Sequence, residues 1–399
     1  MDDTLSVDAA PYWTVHCTTH GILCDPDQAF VITVTGSYDV VLRYEDLNSA
    51  GDGDVARVKF KGGSSSEPQS VAAQLLVIDD LPVLEISATE EKLEVVLLRK
   101  ERVQRVINQG SGDLYIEDNV VATSGSSLTV GSVGSGDLYM SSSSPVTVDG
   151  LELSSQGRGR IQVMFAEFNV KTLSLKVSSS GGASIAAGST VTVDSLALTE
   201  QGSGSLCLSA GLSLEASHIK IESIGTGNLS LGPRGSCQNA ELAMGGSGVI
   251  DVGGIRCQNI DVDLLGSGNV VVQATHLLSG DVYGSGHLRY FGAAPRSIDN
   301  VNYMGLVVAT PTASSYQPSA CKMKSFSSLI LTPANVSNQT DGSDADVELR
   351  IDVDQSSILY LSGIVFIVAL VLRWFNESRR RAREEQRQPL IGAEGLVYV

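Results

Sequence analysis

The sequence predicts an all-β protein built as a parallel β-helix of about nine turns, and three observations favour this fold. A glycine phrase recurs nine times, apolar and variable positions alternate inside each copy, and successive copies begin 18 to 24 residues apart. A period in this range is typical of solenoids. The phrase is glycine, a small residue, glycine and then an apolar, variable, apolar triplet. The copies begin at Gly110, Gly134, Gly157, Gly181, Gly202, Gly225, Gly246, Gly266 and Gly284.

Alternation inside the phrase sets the expected direction of each side chain. With the first glycine as position zero, positions +4 and +6 are apolar in every copy, whereas position +5 ranges from tyrosine to arginine. This period of two places +4 and +6 in the core and +5 on the outside of a strand. A second apolar pair, such as Leu151 and Leu153, precedes most of the following glycines. Each turn therefore has at least two inward-facing strands that pair with their counterparts in the next turn.

A β-propeller or a β-sandwich is the main alternative architecture. Propeller blades need roughly 40 residues and four strands each, which is about twice the repeat in this chain. Glycines at the corners suit a β-helix, because a side chain there would collide with the neighbouring turn. The β-helix therefore explains the repeat better than either alternative.

Composition excludes several classes of function. The chain has 399 residues, 41 glycines and a formal net charge of -18, which is expected to repel nucleic acid. Its six cysteines form no Cys-x-x-Cys pair, so neither a zinc ribbon nor a thioredoxin-type site is indicated. We expect no cofactor, no metal site and no nucleic-acid partner.

The residues before the repeats are predicted to form two parts. Residues 1–29 show little periodicity, and Cys17 and Cys24 can close a small disulfide loop; a metal site with His16 and His20 is the less favoured alternative. Residues 30–109 contain short β-rich runs separated by turn residues, which predicts a β cap for the solenoid. Within them, residues 93–105 fit either a strand or a short helix.

Two cysteines test the register of the repeats, which occupy residues 110–291. Cys237 and Cys257 each stand nine residues before a repeat glycine, so they should lie one above the other. The spacing of about 4.8 Å between strands falls within the range of about 4.4–6.8 Å for the Cα atoms of a disulfide. A disulfide and two free packed thiols both remain open.

The glycine phrases carry a family resemblance. Gly-Ser-Gly-(Asp/Asn)-(Leu/Val)-x-apolar, preceded by Phe30-Val31-Ile32-Thr33-Val34 and Asp39-Val40-Val41-Leu42, resembles the putative auto-transporter adhesin, head GIN domain family over residues 30–290. The resemblance implies a right-handed parallel β-helix on cell-surface or envelope proteins, an adhesive role and no enzymatic activity. The C-terminal apolar segment and arginine-rich tail depart from the usual family pattern.

Two aspartates offer the best candidate for chemistry. Asp113 and Asp137 occupy position +3 in adjacent turns and would lie about 5 Å apart, near the carboxylate spacing of a retaining glycosidase. No histidine, lysine or arginine recurs beside them, and solvated aspartates are common at turns. A carbohydrate-active enzyme therefore stands as the alternative, and we predict no catalytic residues.

A membrane anchor is predicted after the repeats. Residues 292–357 fit a final cap and a flexible stalk, and residues 358–375 are almost wholly apolar, long enough as a helix to span about 27 Å of bilayer. Arginines crowd residues 376–399, so the positive-inside rule puts this tail in the cytosol and the β-helix outside or in a lumen. A buried core helix is the alternative for the apolar run.

The sequence leaves two topologies open. Residues 1–6 lack the features of a signal peptide, so either a signal lies upstream or the chain is tail-anchored with a cytosolic β-helix. Sequons at Asn228, Asn335 and Asn338 are candidate N-glycosylation sites, and their modification would exclude the second topology. The sequence thus predicts a single-pass, non-catalytic β-helical glycoprotein that acts in adhesion, in binding a protein or carbohydrate ligand, or as a scaffold.

Overall fold

A computed structural model describes residues 28–46, 54–60, 73–78, 81–88 and 92–303, with short pieces at 12–16, 18–19, 22–23, 310–311, 316–318 and 320–324. The chain divides into two compact units, Met1–Pro333 and Ala334–Val399, and the described residues all lie in the first. The predicted membrane segment 358–375 and the tail 376–399 lie outside the described residues. Among the residues that are described, no helix has the length and apolar character needed to cross a bilayer.

The described residues form 27 β-strands, ten of which precede the repeats. These ten are β1 (Tyr12–His16), β2 (Thr18–Thr19), β3 (Ile22–Leu23), β4 (Phe30–Gly36), β5 (Val40–Tyr44), β6 (Asp54–Phe60), β7 (Ala73–Ile78), β8 (Leu81–Ala88), β9 (Leu93–Leu97) and β10 (Val103–Asn108). The repeats and the residues that follow them contain β11 (Leu114–Ile116), β12 (Ser124–Ser132), β13 (Leu138–Ser142), β14 (Val146–Ser155), β15 (Arg160–Phe165), β16 (Phe168–Val177), β17 (Gly182–Ala187), β18 (Val191–Gly202), β19 (Ser205–Ala210), β20 (Leu214–Gly225), β21 (Asn228–Gly232), β22 (Gly235–Gly246), β23 (Val249–Gly266), β24 (Asn269–Tyr283), β25 (His287–Tyr290), β26 (Ser297–Tyr303) and β27 (Thr310–Pro311).

The repeats form the predicted parallel solenoid. From β10 to β21 each strand pairs in parallel with the strand two places along the chain, so β11 lies beside β13 and β12 beside β14. Nine glycine phrases enclose eight intervals, and the solenoid has about 8 turns rather than the predicted nine. The prediction counted corners, whereas a turn is the chain between two corners.

A typical turn buries three pairs of side chains, one more than the predicted minimum. In the second phrase, Leu138 and Met140 face inward from β13, as positions +4 and +6 should. The longer β14 bends at Asp149 and buries Val146 and Val148 on one side of the bend. Leu151 and Leu153 are buried on the other side, so the core has three walls.

Parallel pairing also extends below the first glycine phrase. Strands β4 and β5 pair in parallel with β10 and β11 on one side and with β8 and β9 on the other. The helix alternative for residues 93–105 is wrong, because β9 and β10 both belong to these stacks. Antiparallel strands then close the stack: β7 pairs with β8, β6 with β9 and β1 with β6. Pairing with these strands covers backbone groups that an open edge would expose.

Close approach of successive turns explains the corner glycines. A Cβ atom at Gly134 would lie 1.8 Å from the carbonyl oxygen of Gly110, and one at Gly157 would lie 1.8 Å from that of Gly134. Non-bonded carbon and oxygen atoms cannot approach so closely, and a backbone carbonyl cannot relieve the clash by changing rotamer. Each corner therefore requires glycine because the corner below it lies directly underneath.

A column of buried polar side chains supports these corners from inside. Asn108 Nδ2 donates to the carbonyl of Gly112 at 3.0 Å, and Ser155 Oγ donates to that of Gly159 at 3.0 Å. Such bonds satisfy carbonyls that the sharp turn removes from the strand ladder. Further along, the column contains Glu200, which is fully buried and accepts a 2.8 Å hydrogen bond from the hydroxyl of Ser223.

Glu200 makes the solenoid sensitive to pH. Burial raises the pKa of Glu200 above its usual 4.5, although the Ser223 hydroxyl and the Gly227 amide act in the opposite direction. A raised pKa in the folded state means that the carboxyl stabilises the fold below its unfolded pKa, and that this contribution is lost as pH rises through the folded pKa. At neutral pH the ionised carboxylate of Glu200 therefore lowers the free energy of unfolding.

We expect the Glu200→Gln variant to be more stable than the natural chain at pH 7, with the difference shrinking as pH falls towards 4. The neutral amide keeps the shape of the side chain but carries no charge to bury. Urea unfolding midpoints between pH 4 and pH 7 measure the effect, with the exposed Glu215→Gln as the control. A difference between variant and natural chain that is equal at every pH would contradict the assignment.

Candidate ligand-binding face

One outward-facing column of side chains runs along the solenoid. Register pairs the +5 residues of successive turns, so that Tyr115 lies beside Tyr139, Tyr139 beside Gln162 and Cys207 beside Ser230. These side chains point away from the aliphatic core, as predicted for position +5. We call this set the outer column, and it consists of Val41, Tyr115, Tyr139, Gln162, Ser184, Cys207, Ser230 and Asp251. The predicted start of the fourth copy at Gly181 is wrong by two residues, because Ile161 pairs with Ala183 and Val163 with Ile185. That copy therefore begins at Ser179, and Ser184 takes position +5.

Several members of the outer column are nevertheless buried. Tyr139 is 2% exposed and Gln162 is 8% exposed, which is unusual for side chains outside the core. The covering layer includes residues 316–318 and 320–324, which we call the strap. These residues lie within 292–357, where the sequence predicted a final cap followed by a flexible stalk. They are held against the solenoid by contacts with residues far away in the chain.

The strap is fixed at three places along the column. The hydroxyl of Tyr316 bonds to Asp251, and the sulphur of Cys321 is bonded to that of Cys207. At the other end, the side-chain amide of Gln162 donates to the carbonyl of Lys324 at 2.7 Å and accepts from its backbone N–H at 2.8 Å. The strap therefore has covalent, side-chain and main-chain attachments to the column.

The spacing of these attachments fits a chain that runs along the solenoid axis. Register places Asp251 four turns from Gln162, which corresponds to about 19 Å at 4.8 Å per turn. Eight residue steps from Tyr316 to Lys324 can cover about 26 Å at 3.3 Å each in a fully extended chain, so the strap is long enough to join its two ends. The strap thus passes one turn of the solenoid about every two residues.

Aspartates form a ladder beside the tyrosines. Asp39 Oδ1 accepts the backbone N–H of Asp113 at 3.1 Å, and Asp113 Oδ1 accepts that of Asp137 at 2.8 Å. Asp137 Oδ1 in turn accepts the N–H of Arg160 at 2.8 Å. Each rung of the ladder therefore ties one turn to the next. The sequence predicted the stacking of Asp113 and Asp137, which the structure shows, but missed Asp39.

The remaining carboxylate oxygens bind the tyrosines. Tyr115 donates its hydroxyl to Asp113 Oδ2 at 3.3 Å, and Tyr139 donates to Asp137 Oδ2 at 2.8 Å. The two rings stack with their centroids 5.2 Å apart. Burial, followed by the charge of Asp137 and Asp39, raises the pKa of the Asp113 carboxyl. Burial is also the largest cause that raises the pKa values of both tyrosines, so both stay neutral phenols.

Comparison with known proteins addresses the predicted resemblance. The family model described as putative auto-transporter adhesin, head GIN domain, matches residues 168–294. The predicted resemblance is confirmed over these residues. A crystal structure of a putative adhesin from Parabacteroides merdae is also similar, with 13% identity, coverage of 76% of this chain and 96% of that protein, and a TM-score of 0.34. No curated protein matches the chain.

The head GIN region, residues 168–294, holds only part of the candidate face. Cys207 and Asp251 of the outer column lie within it, whereas Tyr115, Tyr139 and Gln162 lie before it. The aspartate ladder likewise precedes the matched residues. The face therefore combines the family region with earlier turns of the same solenoid.

The head GIN region also contains the stacked cysteine pair. Cys237 and Cys257 are register partners in β22 and β23, and their Cα atoms lie 4.3 Å apart with the sulphurs bonded. Cys17 and Cys24 lie outside the described residues. Sequence reasoning missed the pairing of Cys207 with Cys321, which are 114 residues apart.

The other predicted sites are placed as follows. Asn228 is exposed at the start of β21, whereas Asn335 and Asn338 lie outside the described residues. Within the described part of the chain, no group of three or more His, Cys, Asp or Glu side chains is arranged to hold a metal ion.

Proposed function

We propose that this adhesin-like β-helical protein is a membrane-anchored, non-catalytic molecule that binds a protein or carbohydrate ligand in adhesion or acts as a scaffold. The proposal rests on the hydrogen bonds that Asp113 and Asp137 accept. All four of their carboxylate oxygens accept hydrogen bonds from within the protein. These residues therefore serve as rungs of a ladder between turns.

The glycosidase alternative needs the same two carboxylates for a different task. A retaining enzyme uses one as a nucleophile and the other as an acid and base, and both must reach the sugar. In this chain Asp137 also lies 3.8 Å from the ammonium of Lys324 in the strap. The hydrogen bonds and the strap favour binding or structure over catalysis.

The location proposal rests on sequence and on the disulfides. Residues 358–375 have the length and composition of a single membrane span, with arginines on the side that becomes cytosolic. Bonds such as Cys207–Cys321 and Cys237–Cys257 persist in oxidising compartments and are rare in the cytosol. Both features favour a β-helix that is extracellular or lumenal over a tail-anchored protein with a cytosolic β-helix.

Eukaryotic cells that express the full chain with an epitope after Val399 test this proposal. If the protein reaches the cell surface, we expect an antibody against the solenoid to label intact cells. If the protein stays in an internal membrane, we expect the antibody to label right-side-out vesicles only after their lumen has been opened. The tag should be accessible from the cytosolic side, and glycosidase treatment should increase the mobility of the chain. Unmodified sequons together with a solenoid accessible from the cytosol would reject the topology.

The same cells distinguish binding from catalysis. Beads coated with proteins or polysaccharides should be captured without the release of new reducing ends, both by the natural chain and by the variant that carries Asp113→Asn and Asp137→Asn together. Release of new reducing ends from a polysaccharide, lost in this double variant, would identify the enzyme instead.

A further inference from the structure

We propose that the outer column is a surface for an extended, lysine-bearing peptide and that the strap is its resident occupant. We further propose that opening the Cys207–Cys321 disulfide lets a peptide from another molecule take the place of the strap. The proposal deepens the binding function proposed above, because it names the class of ligand that this face accepts. Its physical basis is the chemistry of the contacts that hold the strap.

Gln162 recognises main chain rather than side chain. Its amide donates to the carbonyl of Lys324 and accepts from the N–H of the same residue, at 2.7 and 2.8 Å. A glutamine amide that pairs with both backbone groups of one residue accepts any extended peptide in that register, because almost every residue offers the same two groups. Burial of Gln162 removes competing water from this pair.

Tyr139 and Asp137 add selectivity for lysine. The ammonium of Lys324 lies 2.8 Å from the Tyr139 hydroxyl, 3.8 Å from Asp137 Oδ2 and 5.4 Å from the centroid of the Tyr139 ring. A phenol oxygen, a carboxylate and a ring face all attract a cation. The ladder of aspartates next to the column thus supplies the charge complementary to a basic peptide.

A related arrangement occurs one turn away. The ammonium of Lys92 lies 5.3 Å from the centroid of the Tyr115 ring and 3.6 Å from Asp39 Oδ2. Tyr115 and Tyr139 are register partners, so the two lysine contacts are stacked. Lys92 uses the aspartate of the preceding rung, whereas Lys324 uses Asp137 of the same rung, so the two contacts share a tyrosine ring face and one carboxylate of the ladder.

Tyr316 holds the other end of the strap against the solenoid. Its hydroxyl bonds to Asp251, and its ring packs edge to face on Phe291 with the ring centroids 5.1 Å apart. A fitting peptide therefore carries a tyrosine and, eight residues later, a lysine, with an extended chain between them.

The disulfide decides whether the strap can leave. Cys207 and Cys321 are both half-buried, so a small thiol can reach this bond, whereas Cys237 and Cys257 are 5% and 1% exposed. A reducing thiolate attacks one sulphur and forms a mixed disulfide, and a second reducing thiol then releases it. The protein gains two thiols and the reductant becomes its own disulfide. The strap is then held by noncovalent contacts alone.

Covalent capture on the full chain tests the proposal. The Cys321→Ser variant leaves Cys207 free, and the probe is a synthetic peptide of residues 316–324 with its cysteine activated as a thiopyridyl disulfide. Cys207 attacks the peptide sulphur and expels thiopyridone, whose absorbance gives the rate. We expect capture about tenfold faster than for a scrambled peptide with cysteine at the same place, the equivalent of one or two net hydrogen bonds.

Two comparisons make the result decisive. Gln162→Ala in the same background should slow the capture of matched and scrambled peptides alike, because Gln162 binds main chain. Alanine in place of the last lysine of the probe should remove most of the advantage over the scrambled peptide, because that lysine contacts Tyr139 and Asp137. Equal rates for matched and scrambled peptides, capture rates that Gln162→Ala leaves unchanged, an advantage that survives the loss of the last lysine, or modification of a cysteine other than Cys207 would overturn the proposal. Because the assay uses purified protein and peptide alone, its outcome is independent of the topology and bead-capture experiments on cells.

Discussion

Replacing Gly134 with alanine is expected to lower the free energy of unfolding by more than about 3 kcal/mol, the upper end of the usual cost of overpacking. The new Cβ would lie 1.8 Å from the carbonyl oxygen of Gly110. Most overpacked side chains relieve a clash by changing rotamer, but a methyl group against a backbone carbonyl cannot. The two turns would have to separate, which breaks the parallel ladder on either side of the corner.

Gly131 provides a matched control three residues earlier in the same turn. A Cβ there would first meet the side-chain oxygen of Ser154 at 3.4 Å, which is ordinary contact. We expect Gly131→Ala to change stability by less than about 1 kcal/mol, since it adds a methyl group without a clash. Urea unfolding followed by far-ultraviolet circular dichroism compares the two variants. Equal midpoints would show that the corner relaxes more easily than its geometry indicates.

Local patterns were enough to predict the solenoid core. Positions +4 and +6 follow the period of two of a strand, and the structure buries every +4 residue and all +6 residues except the half-buried Tyr290. The register could also be predicted for most copies, because a repeated glycine places equivalent residues of successive turns together. The fourth copy is the exception, since Ser179 replaces its first glycine and counting from Gly181 shifts that copy by two residues. Stacking of Asp113 on Asp137 and of Cys237 on Cys257 follows directly from the register.

The strap could not be predicted in the same way. Its attachments join residues separated by more than 100 positions, such as Cys207 and Cys321, and no repeat relates them. Position +5 varies between turns, as residues on a solvated face do, although Tyr139, Gln162, Cys207 and Asp251 each contact a residue of the strap. The nearest signal was the pair Tyr115 and Tyr139, since two stacked aromatic side chains on an outer face indicate that something covers them.

The parallel strands before Gly110 could not be predicted from the glycine phrase either. Gly36-Ser37-Tyr38-Asp39 matches the start of the phrase but has tyrosine where the second glycine is expected. A search for paired glycines therefore begins at Gly110 and passes over the rung that contains Asp39. Stacking order adds a second difficulty, because β8 and β9 lie below β4 and β5 although they follow them in the chain. Periodicity along a sequence carries no information on such a reversal.

Replacing Ile185 with alanine is expected to destabilise the solenoid by about 2–5 kcal/mol, the range for truncating a large buried aliphatic side chain. Ile185 is fully buried in β17, and its inward-facing neighbours in that strand, Ala183 and Ala187, are small. Its register partners above and below are Val163 and Leu208. No flexible large side chain in β17 can fill the cavity, so we expect a cost towards the upper end of the range.

The loss should be concentrated at one turn. In a solenoid each turn contacts mainly its neighbours, so stability is close to a sum of turn and interface contributions. We expect amide hydrogen exchange in the Ile185→Ala variant to accelerate first in β17 and in the adjacent β15 and β19. Ser184→Ala, which changes the outward-facing residue next to Ile185, is the control and should shift stability by no more than about 0.5 kcal/mol.

The exchange pattern also shows how the strap acts on the core beneath it. Cys321 lies over this turn, and its sulphur is 3.6 Å from the carbonyl oxygen of Ile185. If the strap supports the turn, reducing the disulfides of Ile185→Ala should accelerate exchange in β17 further, while the natural chain changes less. Uniform acceleration over all turns would instead show that the solenoid opens as one cooperative unit, because a local cavity then weakens every turn equally.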